Sequence, residues 1–363
     1  MINSITGFLA VLPPSASTVA PGVDHAFWWV TIISVVSFIL VEAALILFVI
    51  KYRRKKGEAD KPTLYITHHK TAEIIWTVIP SILLLVIFYY GAVSYIEMRT
   101  LPKEYKVINI KGQKWAWEMT YTGEENCIRD VKGKEHCLQV IAQTKPNEYD
   151  KKGENIQDTD MSVLRVPTGQ NYRLIMTSKD VLHSFYIPAF RIKQDVVPGL
   201  NTWQWFQATE AGAYPIFCTE YCGTSHYGMM GRVLVMETGQ FNAWREKALE
   251  RLKKEADALA AGGDDPVILA KAGEKLFNSN ACGACHSMEG TRVVGPALNG
   301  IYGKERVFAD GSKLAKADYG YIKESILNPG AKIVEGYPAG VMPKFALNEG
   351  DLKKIAAYLQ TSE

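Results

Sequence analysis

Two apolar runs decide most of what this chain can become. Residues 27–50, FWWVTIISVVSFILVEAALILFVI, are interrupted only by Glu42, and residues 74–95, IIWTVIPSILLLVIFYYGAVSY, hold no charged side chain. Roughly 20 apolar residues suffice to cross the hydrocarbon core of a bilayer. Aromatic residues end both runs, as they do at membrane interfaces, which counts against the rival reading of two buried core helices. The loop between the runs carries KYRRKK at 51–56 with Lys61 and Lys70, whereas the first 26 residues contain no lysine or arginine. The positive-inside bias therefore places the loop in the cytoplasm and the rest of the chain on the other face. The first 20 residues lack the basic start of a signal peptide, so the first helix is expected to stay as an anchor. The reading is an external segment over 1–24 and a transmembrane helix hairpin over 25–100, with helices at about 27–50 and 73–96. Membrane lipid is thus an expected partner. A formal charge of +3 on 363 residues leaves no footprint for nucleic acid.

From about 104 to 240 the period falls to two. KVINIKG, WAWEMTY, LQVIAQ, YRLIMTS, WQWFQATE and GRVLVME alternate or run in short β-branched and aromatic stretches between turn residues. This predicts an antiparallel, all-β sandwich or barrel over 101–240, on a face of the membrane that tolerates disulfides. The polar stretch 122–160 reads as a surface insert. Cys127 and Cys137 lie within it, and their position favours a disulfide across a hairpin over two free thiols.

The chemistry concentrates in PIFCTEYCGTSHYGMMG, residues 215–231, where Cys218, Glu220, Cys222, His226 and Met229 follow one another. Thiolate, thioether and imidazole ligands on a sheet-borne loop suit copper. One copper needs one cysteine; a second thiolate four residues away could bridge two ions, each of which still needs a nitrogen. His226 supplies one, and His183 in DVLHSFYIP is the candidate for the other, because the remaining histidines sit in the membrane half, the insert or the motif at 282–286. A Cys₂His₂ zinc site is the rival.

The run CTEYCGTSHYGM resembles the dinuclear copper (CuA) loop of cytochrome c oxidase subunit II. EIIWTVIP at 73–80, KWAWEM at 114–119, DVLHSFYIP at 180–188 and FRIKQDVVPG at 190–199 are similar to other stretches of that family in the same order. The resemblance, over roughly 25–240, implies a cupredoxin-like sandwich in which Cys218 and Cys222 bridge two copper ions. It further implies that His183 and His226 each bind one, that Met229 is a weak ligand, and that Glu220 gives its carbonyl to copper and its carboxylate to a shared magnesium. Met230 is chemically equal to Met229, but the His-x-x-Met spacing selects the latter. Trp115 and Trp117 resemble the family's surface patch for electron entry, with ordinary strand packing as the alternative. Glu73 matches an acid at the mouth of a proton channel, with a solvated helix end as the alternative.

Residues 240–261 carry apolar side chains at 241, 244, 248, 249, 252, 256 and 259, the stripe of an amphipathic helix, and GGDDP at 262–266 ends it. A helical linker over 241–264 therefore leads to a last domain over 265–363. There AGEKLFNSNACGACH contains C-x-x-C-H, the attachment signal for c-type haem: thioethers at Cys282 and Cys285 and an iron ligand at His286. With GPALNGIYG and a terminal DLKKIAAYL helix, this part resembles an all-α class I cytochrome c. Met342 in GVMPKF is the expected sixth ligand, since Met288 stands too close to His286 to reach the opposite face.

Taken together, the chain resembles subunit II of caa(3)-type oxidases, with its electron donor fused behind the copper domain. Such a chain would sit in a bacterial inner membrane with the copper and haem domains periplasmic. It would take electrons from a cytochrome c, a cupredoxin or a quinol-oxidising complex and pass them to haem a in subunit I, where oxygen is reduced with proton pumping. An electron-input subunit of a copper-containing nitric oxide reductase, or a tethered carrier without a catalytic partner, would share these motifs.

Overall fold

Helix formation outruns the apolar stretches at both ends, and at the start of the second helix a side-chain cap accounts for it. In the computed structural model, which describes residues 11–53, 65, 67–142, 163–261, 265–345 and 347–362, α1 spans Ala20–Lys51 and α2 spans Lys70–Arg99. The His69 ring accepts from the Ala72 N–H (3.2 Å) while Glu73 Oε1 accepts from the His69 N–H (2.9 Å). This reciprocal pair works as a capping box and starts α2 three residues ahead of the expected position. His25 and Trp29 of α1 pack on Tyr90 of α2, with ring centroids 5.3 and 6.0 Å away. The apolar windows of both helices are unburied within the molecule, and both helices are long enough to cross a bilayer. Part of the basic loop (54–56 and 61), residues 143–160 of the insert and 262–264 of the helix break lie outside the described residues.

The chain divides into two units, Met1–Pro102 with Ala189–Arg191, and Lys103–Pro188 with Ile192–Glu363. In the second unit, β1 (Lys106–Gln113), β2 (Ala116–Tyr121), β3 (Cys127–Arg129), β4 (Glu135–Cys137), β5 (Gln139–Ala142) and β6 (Val163–Pro167) come first. Then follow β7 (Asn171–Ser178), β8 (His183–Ile187), β9 (Ile192–Val196), β10 (Thr202–Gln207), β11 (Gly212–Cys218) and β12 (Met230–Met236). Ten of them form two five-stranded sheets, ordered β10-β7-β1-β2-β5 and β6-β12-β11-β8-β9. The period of two is plain in β7, where Tyr172, Leu174 and Met176 point inward between half-exposed neighbours.

The sandwich is not purely antiparallel. β1 pairs with β7, and β12 with β6, in parallel. Such pairs need long crossovers, which alternation within a strand cannot encode. Tyr121 links the sheets: its hydroxyl donates to the Arg165 carbonyl (2.7 Å) and accepts from the Arg165 N–H (2.8 Å). Burial pushes this phenol far above its ordinary range, so it stays neutral.

The described part of the insert, 122–142, carries strands. β5 completes the first sheet, and β3 and β4 form a separate hairpin in which Cys127 faces Cys137 and is bonded to it. The next helix, α3 (Thr238–Ala260), leaves the sandwich with Phe241 buried. Its Trp244 lies 6.0 Å from the Tyr121 ring and 5.2 Å from the Arg165 guanidinium. Asp265 then caps α4 (Pro266–Ser279) by accepting from the Val267 N–H. With α5 (Tyr319–Leu327) and α6 (Glu349–Thr361), α4 encloses a core of Phe277, Ile301, Phe308, Ile322, Ile355 and Leu359.

Candidate functional site

Strand ends bring the predicted ligands together. His183 opens β8, Cys218 closes β11, and the loop 219–229 returns to β12. Two backbone bonds fix the loop's ends: the Cys218 N–H donates to the Met229 carbonyl (3.1 Å) and the Thr219 N–H to the Ser184 carbonyl (3.0 Å). The Cys218 sulfur lies 3.8 Å from the Cys222 sulfur and 3.9 Å from His183 Nδ1. Cys222 in turn is 3.4 Å from His226 Nδ1 and 3.7 Å from the Met229 sulfur, and the Glu220 carbonyl is 3.3 Å from Cys218. Met230 instead opens β12, opposite Phe217.

The two sulfurs are unbonded, buried, and share their pocket with a buried imidazole and a thioether. That donor set is soft and nitrogen-containing, which fits copper on the ligand criterion. The thiols titrate as a pair. The hydrogen bond with Cys222, and then His183, hold Cys218 low against the pull of burial, while Cys222 is pushed up by Cys218 and by burial. Burial opposes charge on His183, but its bonds to Asp180 and Cys218 prevail and raise it.

Asp180 is the residue that motif reading missed. Its Oδ1 accepts from His183 Nε2 (2.9 Å) and its Oδ2 from the Lys114 N–H (2.8 Å). The first bond turns His183 Nδ1 toward the sulfurs, as carboxylates do for ligating histidines. An acid three residues before a candidate ligand was the available signal. Gly223 is the second: with φ +122°, a Cβ there would lie 3.2 Å from the Trp115 ring, so glycine alone suits this bend.

The tryptophans do not form a surface patch. Trp117 is fully buried, edge-on to His183 (5.9 Å) and Phe185 (5.1 Å). Trp115 is only 7% exposed. It lines a cavity of about 410 Å³ with Tyr227 and Gly228 of the loop and with Ala284, Arg292, Val293 and Val294 of the last domain. The cover over Trp115 is the chain itself.

Ala284 belongs to the C-x-x-C-H motif. Cys282 and Cys285 are unbonded thiols, raised by burial to about 12 and about 11. His286 Nδ1 donates to the Pro296 carbonyl (2.8 Å), and burial holds its pKa below the ordinary value. The ring is therefore a neutral imidazole oriented at one nitrogen, which fits an axial haem ligand. Met342 comes from elsewhere in the domain, half-buried between α5 and α6, whereas Met288 packs on the domain core. Glu73 lies in the other unit, where it caps α2.

Three family descriptions match the chain in succession: "Cytochrome C oxidase subunit II, transmembrane domain" over 6–92, "Cytochrome C oxidase subunit II, periplasmic domain" over 106–237, and "Cytochrome c" over 270–363. Cytochrome c oxidase subunit 2 of Thermostichus vulcanus is 30% identical over 261 residues, covering 65% of this chain and 78% of that protein. The subunit 2 of Alkalihalophilus pseudofirmus is 27% identical over 351 residues, covering 93% of this chain and 86% of that one. The crystal structure of the periplasmic domain of subunit II of the Bradyrhizobium japonicum cytochrome oxidase is 25% identical, covering 42% of this chain and 99% of that one, at a TM-score of 0.35. A membrane-anchoring helix pair, a cupredoxin-like sandwich with a convergent sulfur–imidazole cluster and a C-x-x-C-H domain, matched in that order, place the chain in the cytochrome c oxidase subunit II family, with a cytochrome c domain joined behind the sandwich.

Proposed function

We propose that this chain is the electron-input subunit of an oxygen-reducing haem–copper oxidase. In this reading it accepts electrons from an external donor on the periplasmic side of a bacterial inner membrane and delivers them toward haem a of subunit I. Cys218, Cys222, His183, His226, Met229 and the Glu220 carbonyl would hold two copper ions; Cys282, Cys285, His286 and Met342 would hold haem c. When bound, these groups would supply reversible one-electron carriers. The observation that carries the reading is the convergence of five side-chain donors, adjoining a cavity that Trp115 and Ala284 both line.

The chain's own part is positional. Loop-end backbone bonds fix the sulfurs, Asp180 orients His183, and Trp117 fences the imidazole from water. His183, Cys218, Cys222 and Met229 are all buried, which would keep water from the site. Trp115 is the proposed bridge between the two centres. The Glu220 carboxylate is proposed to meet a magnesium shared with subunit I, and Glu73 to admit protons.

The deciding test is paramagnetic resonance of the full chain loaded with copper and haem. More copper hyperfine lines than one nucleus can give, with electrons passing from haem c to copper after a light flash, are the expected results. A single-copper pattern, or zinc without a copper signal, overturns the relay.

Two variants refine it. Asp180→Asn removes the charged acceptor behind His183 and is expected to lower copper affinity about 10–100-fold; titration of copper into the full chain measures it. Glu73→Gln keeps an acceptor oxygen for the His69 N–H but cannot accept a proton. Oxygen-linked turnover of the assembled oxidase should fall while α2 stays helical. Unchanged turnover would return Glu73 to capping alone.

A further inference from the structure

The disulfide-closed hairpin makes contacts that neither copper nor haem binding explains. β3 and β4 have three residues each and pair with neither sheet. An isolated two-stranded hairpin is marginal in water, so the Cys127–Cys137 bond largely decides whether its tip is ordered. Asp130 shapes that tip by accepting from the Lys132 and Lys134 N–H groups (2.8 and 3.0 Å) and pairing with His136 (2.9 Å).

The shaped tip then grips α3. The Val131 N–H donates to Asp257 Oδ1 (2.9 Å), and the Lys253 ammonium donates to the Arg129 carbonyl (2.9 Å). Lys253 and Asp257 also pair with each other, one helical turn apart. Two turns of α3 are thereby held by the backbone of the hairpin. From the same stretch, Glu255 pairs with Lys275 of α4. One turn further on, the Ser279 carbonyl accepts from Gln113 of β1 (2.5 Å), two residues from Trp115. Hairpin, α3, α4 and β1 thus form a chain of contacts that ends two residues from Trp115.

We infer that the Cys127–Cys137 hairpin is a redox latch that fixes the cytochrome domain over Trp115. The functional part of this inference rests on the electron-relay reading above. Oxidised, the hairpin holds α3 and with it the domain's seat at Gln113 and Trp115. A dithiol of the thioredoxin class opens it by thiol–disulfide exchange: two electrons and two protons pass to the sulfurs, giving two thiols, and the dithiol closes to its own disulfide. The two sulfurs are half-buried next to an exposed tip, within reach of such a reagent.

The test uses the full chain with haem and copper, compared with a Cys127→Ser/Cys137→Ser variant and with a Lys253→Ala/Asp257→Ala variant that keeps the disulfide. Amide hydrogen exchange is read at 113–115, 253–257 and 292–294, and haem-to-copper transfer is timed after a flash. The latch predicts that both variants exchange at least about tenfold faster at all three segments. It predicts a slowing of transfer of about tenfold or more, with both optical spectra unchanged. Dithiothreitol added to the copper-free chain should reproduce the exchange pattern. Faster exchange confined to 127–137, with transfer at the parent rate, overturns the latch and leaves a stabilised surface turn. If the parent shows no transfer yet exchange responds at all three segments, the latch stands and the relay falls.

Discussion

Cys222→Ser is expected to abolish the paired-copper signal of the full chain while leaving haem c reducible by an external donor. Cys222 is the hub of the cluster, lying 3.8 Å from the Cys218 sulfur, 3.4 Å from His226 Nδ1 and 3.7 Å from the Met229 sulfur. Serine matches its size but offers a hard, protonated oxygen in place of a soft thiolate. Copper retention should fall by more than about 100-fold, beyond the loss expected for an outer partner such as Asp180. Electrons should then accumulate on haem c. The sandwich should survive, because serine leaves the backbone bonds at the loop's ends in place. The checks are copper content and paramagnetic resonance on the purified variant, beside the unfolding temperature of the sandwich. A multi-line signal persisting in Cys222→Ser would defeat the bridging assignment.

Gly273→Ala should cripple the cytochrome domain without touching a ligand. Gly273 lies where α4 crosses α6, and a Cβ there would fall on the Lys354 carbonyl and within 2.9 Å of the Tyr358 Cβ. A side-chain tip can swing away, but a helix carbonyl cannot, so the two helices must separate. Overpacking of this kind costs about 3 kcal/mol. For a domain of this size, that lowers its melting temperature by roughly 12–24 °C. Calorimetry of the full chain should show the domain's transition moving down while the sandwich transition keeps its place. A shift of only a degree or two would mean that the helices adjust freely at their crossing. Haem incorporation should drop in parallel, because attachment needs Cys282 and Cys285 presented on the turn that follows α4.

These two residues differ in how visible they were in the sequence. Cys222 was legible because its partners sit within a dozen residues, and local spacing encodes a loop's donor set. The membrane helices and the C-x-x-C-H turn were legible for the same reason. Gly273 was not, since its role depends on a helix some eighty residues later. Asp180 stood inside a quoted motif, yet its bond to the Lys114 N–H joins elements that only sheet pairing brings together. The parallel pairings of β1 with β7 and β6 with β12 were hidden too, because alternation reports which face is buried and not which strand lies alongside. For Trp115 and Trp117 the resemblance implied a surface patch, with ordinary packing as the alternative, and both side chains are buried. Trp117 packs in the sandwich core, and Trp115 lies against Gly223 and lines a cavity shared with residues of the cytochrome domain.

The anchoring of α3 bears on kinetics. Trp244, wedged between the Tyr121 ring and the Arg165 guanidinium, fixes where a 23-residue helix leaves the sandwich. At 1.5 Å per residue this is a semi-rigid arm of about 35 Å, and the hairpin contacts at Lys253 and Asp257 hold its far half. In the proposed relay, the copper site would therefore meet the fused cytochrome domain at an effective concentration set by the arm and not by abundance. Delivery to that site would be first-order and indifferent to dilution. Only the earlier encounter, between an outside carrier and the tethered domain, would answer to diffusion and salt.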